Sequence, residues 1–179
     1  MKTYNMKIAG LSRDLPVMPI NDEISIAAFI LFGDVELTEA AAKELMKKVP
    51  EFDYILTPEA KSIPLAYEMS RISGKKYFVA RKVPKLYMLE PFSVEVKSIT
   101  TEKLQKLFLG KLEAEEMKGK RVLIVDDVIS TGESLEAVKT IAEKAGAEVV
   151  ASAAVLAEGD AASRSDIVFL EPLPLIENK

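Results

Sequence analysis

The chain has 179 residues, of which 49% are apolar, with 24 Lys plus Arg against 28 Asp plus Glu, a formal charge of −4 and a pI near 5.1. A chain of this length buries roughly 70% of its unfolded surface as one ordinary domain, without metal or disulfide staples. Cys and His are both absent, which excludes a Cys/His zinc site, a catalytic thiolate, a haem ligand and any His-based nucleophile triad, and the acidic balance excludes a nucleic-acid face as the main interaction.

The opening MKTYNMKIAGLSRDLP lacks a secretory apolar region and an Arg-rich amphipathic pattern. Its longest apolar runs, 27–32 and 149–157, fall well short of the about 20 residues that cross a bilayer. A cytoplasmic protein with no membrane partner is expected.

In chain order, residues 1–37 contain a strand pattern at 25–31 after a segment holding Pro16 and Pro19, with no crossover helix, and read as a small N-terminal hood. Helical spacing follows at Ala41, Ala42, Leu45, Met46 and Val49, opened near Thr38 and stopped by Pro50. A strand at 54–56 precedes a second helix carrying Leu65, Ala66, Met69 and Ile72 and ending at Gly74. After a strand at 77–80, residues 82–104 mix Pro84 and Pro91 with many polar residues, a long connection that reads as a mobile lid or as an extended hairpin. Strands at 122–125, 149–156 and 167–170 surround a third helix, with Leu135, Val138, Ile141 and Ala142 on one face and Gly146 at its end. Alternation of strand and helix predicts an α/β core over 38–170, a parallel twisted sheet with flanking helices. The tail 171–179, with Pro172 and Pro174 among leucines, is placed on the hood or on a second subunit.

The chemically informative segment is RVLIVDDVISTGES, 121–134. An apolar strand runs into Asp126 and Asp127, then into a Ser/Thr/Gly loop, then into a helix. Ligands of open α/β sheets bind at the carboxyl ends of strands. Backbone N–H groups of 130–134 converge at a helix N-terminus, where unpaired donors and the helix dipole favour an anion. Ser130, Thr131 and Ser134 add hydroxyl donors, Gly132 permits close approach, and ionised Asp126 and Asp127 accept from vicinal sugar hydroxyls. The combination suits a ribose 5-phosphate.

This segment closely resembles the phosphoribosyl pyrophosphate (PRPP) signature of type I phosphoribosyltransferases. TPEAKSIPLA at 57–66 resembles the pyrophosphate loop of adenine phosphoribosyltransferases, and VARK at 79–82 resembles the Arg-Lys that opens their flexible loop. The resemblance implies the type I phosphoribosyltransferase fold with its N-terminal hood, transfer of the phosphoribosyl group to a purine, homodimers in the family's manner, and Mg2+ carried by PRPP with Asp126 and Asp127 contributing indirectly rather than as a resident metal site. It places the 5-phosphate on Ser130, Thr131, Gly132, Glu133 and Ser134, with Glu133 standing where the family has glycine and expected to face solvent. The pyrophosphate falls to Glu59, Ala60, Lys61, Ser62, Arg81, Lys82 and Lys85, with Lys61 and Arg81 beside the two aspartates as catalytic groups and Ser62 offering its hydroxyl in place of a glycine.

For the base, Phe29 and Phe32 are candidates for stacking, and the run 149–160 has no lysine to donate to a 6-oxo group but has Glu158 as an acceptor, which suits adenine. Adenine phosphoribosyltransferases carry a Tyr-x-Leu-Glu-Tyr stretch in the flexible loop, and Glu95 in SVEVKSITTEKLQ is the candidate counterpart of its glutamate. The competing readings are transfer to xanthine, hypoxanthine, guanine, uracil or orotate, and a PRPP-binding regulator without catalysis.

Overall fold

Residues 2–97 and 104–178 are described by the structure, a computed structural model. The chain opens with an antiparallel hairpin, β1 (Thr3–Ile8) and β2 (Leu11–Pro19), turned at Ala9 and Gly10, both at positive φ as a tight two-residue turn requires. Exposure alternates residue by residue along Thr3–Ile8 and Leu11–Leu15, so the hairpin carries a period-two signal in the sequence beyond the single strand expected within residues 1–37. β3 (Ile24–Ala27) pairs with β2 and ends earlier than the 25–31 run suggests, since residues 28–31 leave the sheet.

Helix α1 (Val35–Met46) starts at Asp34, not Thr38. The Asp34 carboxylate accepts from Leu37 N–H at 3.1 Å, and buried Thr38 donates its hydroxyl back to the Asp34 carbonyl at 2.7 Å. The helix ends at Met46, ahead of Pro50. β4 (Tyr54–Pro58) leads to α2 (Ile63–Ser73), with Pro64 in its first turn and Gly74 at φ +69° closing it. β5 (Tyr77–Ala80) follows. The long connection then folds into a hairpin, β6 (Phe92–Lys97) and β7 (Leu104–Leu109), anchored to the core where Arg81 and Phe108 exchange backbone hydrogen bonds at 2.9 and 2.7 Å. Residues 98–103, the last part of the proposed lid, lie outside the described residues. A short helix α3 (Lys111–Met117), with no sequence expectation behind it, returns the chain to the sheet.

β8 (Arg121–Ile129), α4 (Glu133–Lys144), β9 (Glu148–Glu158), a 3₁₀ turn (Gly159–Ser163) and β10 (Val168–Leu173) complete the core. The five-stranded sheet is parallel, in the order β10-β9-β8-β4-β5. Helices cover both faces. Leu123 and Val125 of β8 face the side packed by α1 and α2, whereas Val122 and Ile124 face α4, so the strand reads as a continuous apolar run. From β4 the chain moves one way to β5, and from β8 it moves the other way to β9 and β10. The gap between β4 and β8 is therefore the topological switch point, where the loops following the two strands diverge and leave a crevice.

The last strand, β11 (Ile176–Glu177), adds to the hood sheet beside β3, in the order β1-β2-β3-β11. Within this chain the tail packs on the hood. The other hood anchor is Arg13 of β2, which forks onto Asp34 at 2.6 and 3.0 Å and reaches Glu36 at 2.7 Å; Arg13 holds the Asp34 carboxyl below its usual range. Asp34 thus both caps α1 and ties the hairpin to the core. Asp34→Ala is expected to lower stability by about 1–2 kcal/mol, the range for losing an N-cap, as a reduced midpoint in urea at unchanged slope.

Candidate active site

A cavity of about 460 Å³ occupies the crevice at the carboxyl ends of β4 and β8. Its walls come from four places: residues 58–62 after β4, residues 126–132 with Ser134 and Leu135 at the start of α4, Glu158 and Leu173 at the ends of β9 and β10, and residues 26–30 of the hood. Lys82 and Leu107 contribute from the hairpin side.

Asp126 and Asp127 lie within β8, which continues to pair with β9 through Ile129. Both are buried, at 9% and 3% exposure. The Asp127 N–H donates to Asp126 Oδ1 at 2.8 Å. Lys61 Nζ is 3.0 Å from Asp127 Oδ2, yet off the direction a hydrogen bond needs, so Oδ2 is buried without a hydrogen-bond donor among the described residues. An acceptor left in that condition is costly for the fold and suits a ligand that brings donors or a cation. Burial pushes the Asp126 carboxyl up to about 8, the adjacent Asp127 carboxylate adds to the rise, and the Asp127 N–H and Lys61 oppose it.

Past the strand, Gly132 takes φ +86° and precedes α4. A side chain there would collide with the Arg164 guanidinium, which is held by a two-pronged contact with Asp166 at 2.9 and 2.7 Å. Ser130, Thr131, Gly132 and Ser134 line the cavity, whereas Glu133 does not line it and is only partly exposed instead of fully solvent-facing. Arg164 carries no sequence signal: it reaches the loop from the connection before β10.

The loop after β4 is set by two buried hydroxyls. Thr57 Oγ1 lies 2.7 Å from both the Val125 carbonyl and Ser62 Oγ, and Ser62 donates to the Pro58 carbonyl at 3.0 Å. The Ser62 hydroxyl proton is thereby spent inside the loop, which corrects its expected place as a donor to pyrophosphate. The peptide bond joining Glu59 to Ala60 is cis. Lys61 projects from this loop, half exposed, over Asp127.

Arg81 is placed differently from expectation. It pairs with Glu59 at 3.1 Å, donates to the Tyr87 hydroxyl, and does not line the cavity; nor does Lys85. Glu59 also accepts from the Lys82 backbone N–H at 3.1 Å, which with the nearby Arg81 and Lys85 charges holds its carboxyl below the usual range. Glu59 therefore joins the two loops while still lining the cavity wall. Glu95 pairs with Lys106 across the hairpin at 2.7 Å. The Tyr-x-Leu-Glu order sought around it occurs nearer β5, as Tyr87-Met88-Leu89-Glu90.

At the other end of the cavity, Phe29 is buried and lines the wall, while Phe32 is 54% exposed and outside it. Glu158 is half-buried at the end of β9, and burial raises its carboxyl, opposed by Lys61. No group of three or more potential metal-ligating side chains occurs among the described residues. Nor is any described helix long and apolar enough to cross a membrane.

A parallel sheet whose switch point holds two buried carboxylates beside the start of a helix defines an α/β protein with a ligand crevice at the carboxyl ends of its strands. The chain belongs to the phosphoribosyl transferase domain family, which matches residues 34–175. It is 37% identical to a hypoxanthine/guanine phosphoribosyltransferase of Methanococcus voltae over 148 residues, 83% of this chain and 73% of that protein. It is 32% identical to an adenine phosphoribosyltransferase of Thermosipho africanus, covering 82% of this chain and 84% of that one. Among solved structures, an adenine phosphoribosyltransferase from Thermoanaerobacter pseudethanolicus superposes with a TM-score of 0.73 at 21% identity, over 88% and 95% of the two chains. The type I phosphoribosyltransferase fold is thereby established, and the chain is a phosphoribosyltransferase.

The raised Asp126 carboxyl has a consequence for stability. Below the unfolded value of about 4 the side chain is protonated in both states; between there and about 8 the unfolded chain has lost a proton that the folded chain keeps, so stability falls with rising pH until the folded group also ionises. Asp126→Asn removes this loss. The variant's thermal midpoint should gain on the parent between pH 5 and pH 8.5, reaching a stabilisation of about 1–3 kcal/mol at the upper end.

Proposed function

We propose that the protein is a purine phosphoribosyltransferase that forms a nucleoside monophosphate and pyrophosphate from PRPP and a purine, with adenine as the base. Attack by a ring nitrogen of the base on C1 of PRPP forms the C1–N bond as the C1–O bond breaks. The electron pair leaves with pyrophosphate, and the ring N–H proton is lost. The transition state carries positive charge at C1, so positioning, anion stabilisation and exclusion of water are what the protein contributes.

In this reading Asp126 and Asp127 accept from the ribose hydroxyls. The 130–134 loop and the start of α4 receive the 5-phosphate, and Lys61 and Lys82 face the leaving pyrophosphate. The orphaned Asp127 oxygen fits Mg2+ delivered on PRPP, and the ion when bound neutralises pyrophosphate charge. Arg81 and Lys85 join the pyrophosphate site only if the 82–97 segment moves onto the cavity as a lid, releasing Arg81 from Glu59.

Support for adenine comes from Glu158: the wall at the end of β9 offers a carboxylate acceptor for an exocyclic amino group. A second reading, a 6-oxopurine base, is favoured by the name of the Methanococcus voltae relative, and a carboxylate also accepts from the N1–H and 2-amino edge of guanine.

Pyrophosphate release from PRPP and magnesium, with adenine, hypoxanthine, guanine, xanthine, uracil and orotate in parallel, decides between them. Adenine-dependent release is expected, reduced at least 10³-fold in Asp126→Asn plus Asp127→Asn. Release only with hypoxanthine or guanine transfers the assignment to a 6-oxopurine enzyme. Saturable PRPP binding with no release from any base would leave a PRPP-binding regulator.

A further inference from the structure

The cavity end assigned to the base has two walls of different origin. One is formed by residues 26–30, which continue directly from β3 of the hood; the other includes Leu173, the last residue of β10 and of the core sheet. The β3–β11 pair joins the chain segments that carry these walls. β11 begins three residues after Leu173, and its partner β3 ends where the hood wall begins, with Ile176 opposite Ser25 and Glu177 opposite Ile24.

Two strand residues give a weak pairing, and side chains reinforce it. Asn178 donates its backbone N–H to the Glu23 carbonyl at 2.8 Å and its side-chain amide to the Asn21 carbonyl at 2.8 Å, while its side-chain oxygen accepts from the Ser25 hydroxyl. Ser25 is 4% exposed, so without Asn178 its hydroxyl would lose its side-chain partner in a nearly dry place. Asn21 in turn caps the turn before β3, accepting from Glu23 N–H at 2.9 Å and Ile24 N–H at 2.7 Å. Leu175 packs against Gly159, directly after Glu158 at the end of β9. The Pro174–Asn178 segment therefore touches the foot of both walls. A second polar hood anchor, Arg13 on Asp34 and Glu36, sits on β2 at the start of α1 and touches neither wall, and buried Ala27, Phe29 and Leu31 share one apolar cluster with Leu173.

We propose that residues 174–178 are a clasp that sets the separation of the hood wall from the core wall, with Asn178 as its positioning residue, and that the clasp governs affinity for the nucleobase and not for PRPP. This rests on the phosphoribosyltransferase reading of the cavity. The PRPP elements, at 58–62 and 126–134, are carried by the core sheet and owe nothing to β11, so loosening the clasp leaves them in place.

The test compares wild type, Asn178→Ala and a chain ending at Leu173. Steady-state kinetics give KM for the base and for PRPP separately, calorimetry gives magnesium–PRPP affinity, and amide hydrogen exchange is followed in peptides covering 15–30 and 121–145. The clasp predicts KM for the base raised about 5-fold in Asn178→Ala and 10-fold or more in the shortened chain, with PRPP affinity and KM within 2-fold of wild type. Exchange should accelerate in 15–30 and stay unchanged in 121–145. Equal weakening of both substrates, or faster exchange in both peptides, would show a general structural element and overturn the proposal, as would no change in either. Should the shortened chain not fold, Asn178→Ala carries the same comparison. If wild type turns over no base, the phosphoribosyltransferase reading fails, and the exchange pattern still decides whether the clasp holds the hood wall.

Discussion

Two carboxylates placed side by side on a buried strand are the constraint around which this molecule is arranged. Water would solvate Asp126 and Asp127 far better than the end of β8 does, and their mutual repulsion adds to that cost. The fold offsets the expense with surrounding structure: a central strand paired on both sides by β4 and β9, apolar layers on both faces, the Asp127 N–H turned onto Asp126, and Lys61 brought over from the neighbouring loop. A sheet that reverses its winding at this point leaves the carboxylates facing an open crevice, where on the proposed reading the vicinal hydroxyls of a sugar would donate to them.

The two loops flanking the carboxylates are coupled to the same strand. Thr57 touches the Val125 carbonyl, the residue before Asp126, and also the Ser62 hydroxyl in the loop that carries Lys61. Any shift of that loop is therefore felt at the carboxylate pair through one buried hydroxyl. On the outer side Glu59 holds Arg81 and the Lys82 backbone, so the ligand-free arrangement stores one cation against an acid at the base of the hairpin while Lys61 and Lys82 face the cavity.

Much of the core was legible because its signals are local. β5 falls on the expected residues, the three main helices lie within a few residues of their apolar periodicity, and the carboxylates and phosphate-type loop read directly from one continuous segment. What the sequence hid depends on distant partners. Thr38 looks like a helix start until Asp34 is seen to bind both Leu37 N–H and Arg13. Ser62 looks available for a phosphate until Pro58 is found to accept its proton. Arg81 reads as a pyrophosphate cation from its motif, while its pairing with Glu59 follows only from the approach of two loops. Phe29 and Phe32 are equivalent in composition, but the chain leaves β3 between Ala27 and Phe29, turning one ring to the cavity wall and the other to solvent. The tail's position, undecidable from its prolines, is fixed by a strand 150 residues away in the chain, Ser25 lying 153 positions before Asn178.

Whether Asp126 and Asp127 receive the ribose of PRPP is decided by calorimetric titration of magnesium–PRPP at pH 7 in buffers of differing ionisation enthalpy. Ligand donors and charge at the site favour the ionised pair, so binding should release protons in wild type, and that release should fall in Asp126→Asn by the share Asp126 contributes. Proton release identical in the two proteins, or undiminished affinity in Asp126→Asn plus Asp127→Asn, would contradict the account.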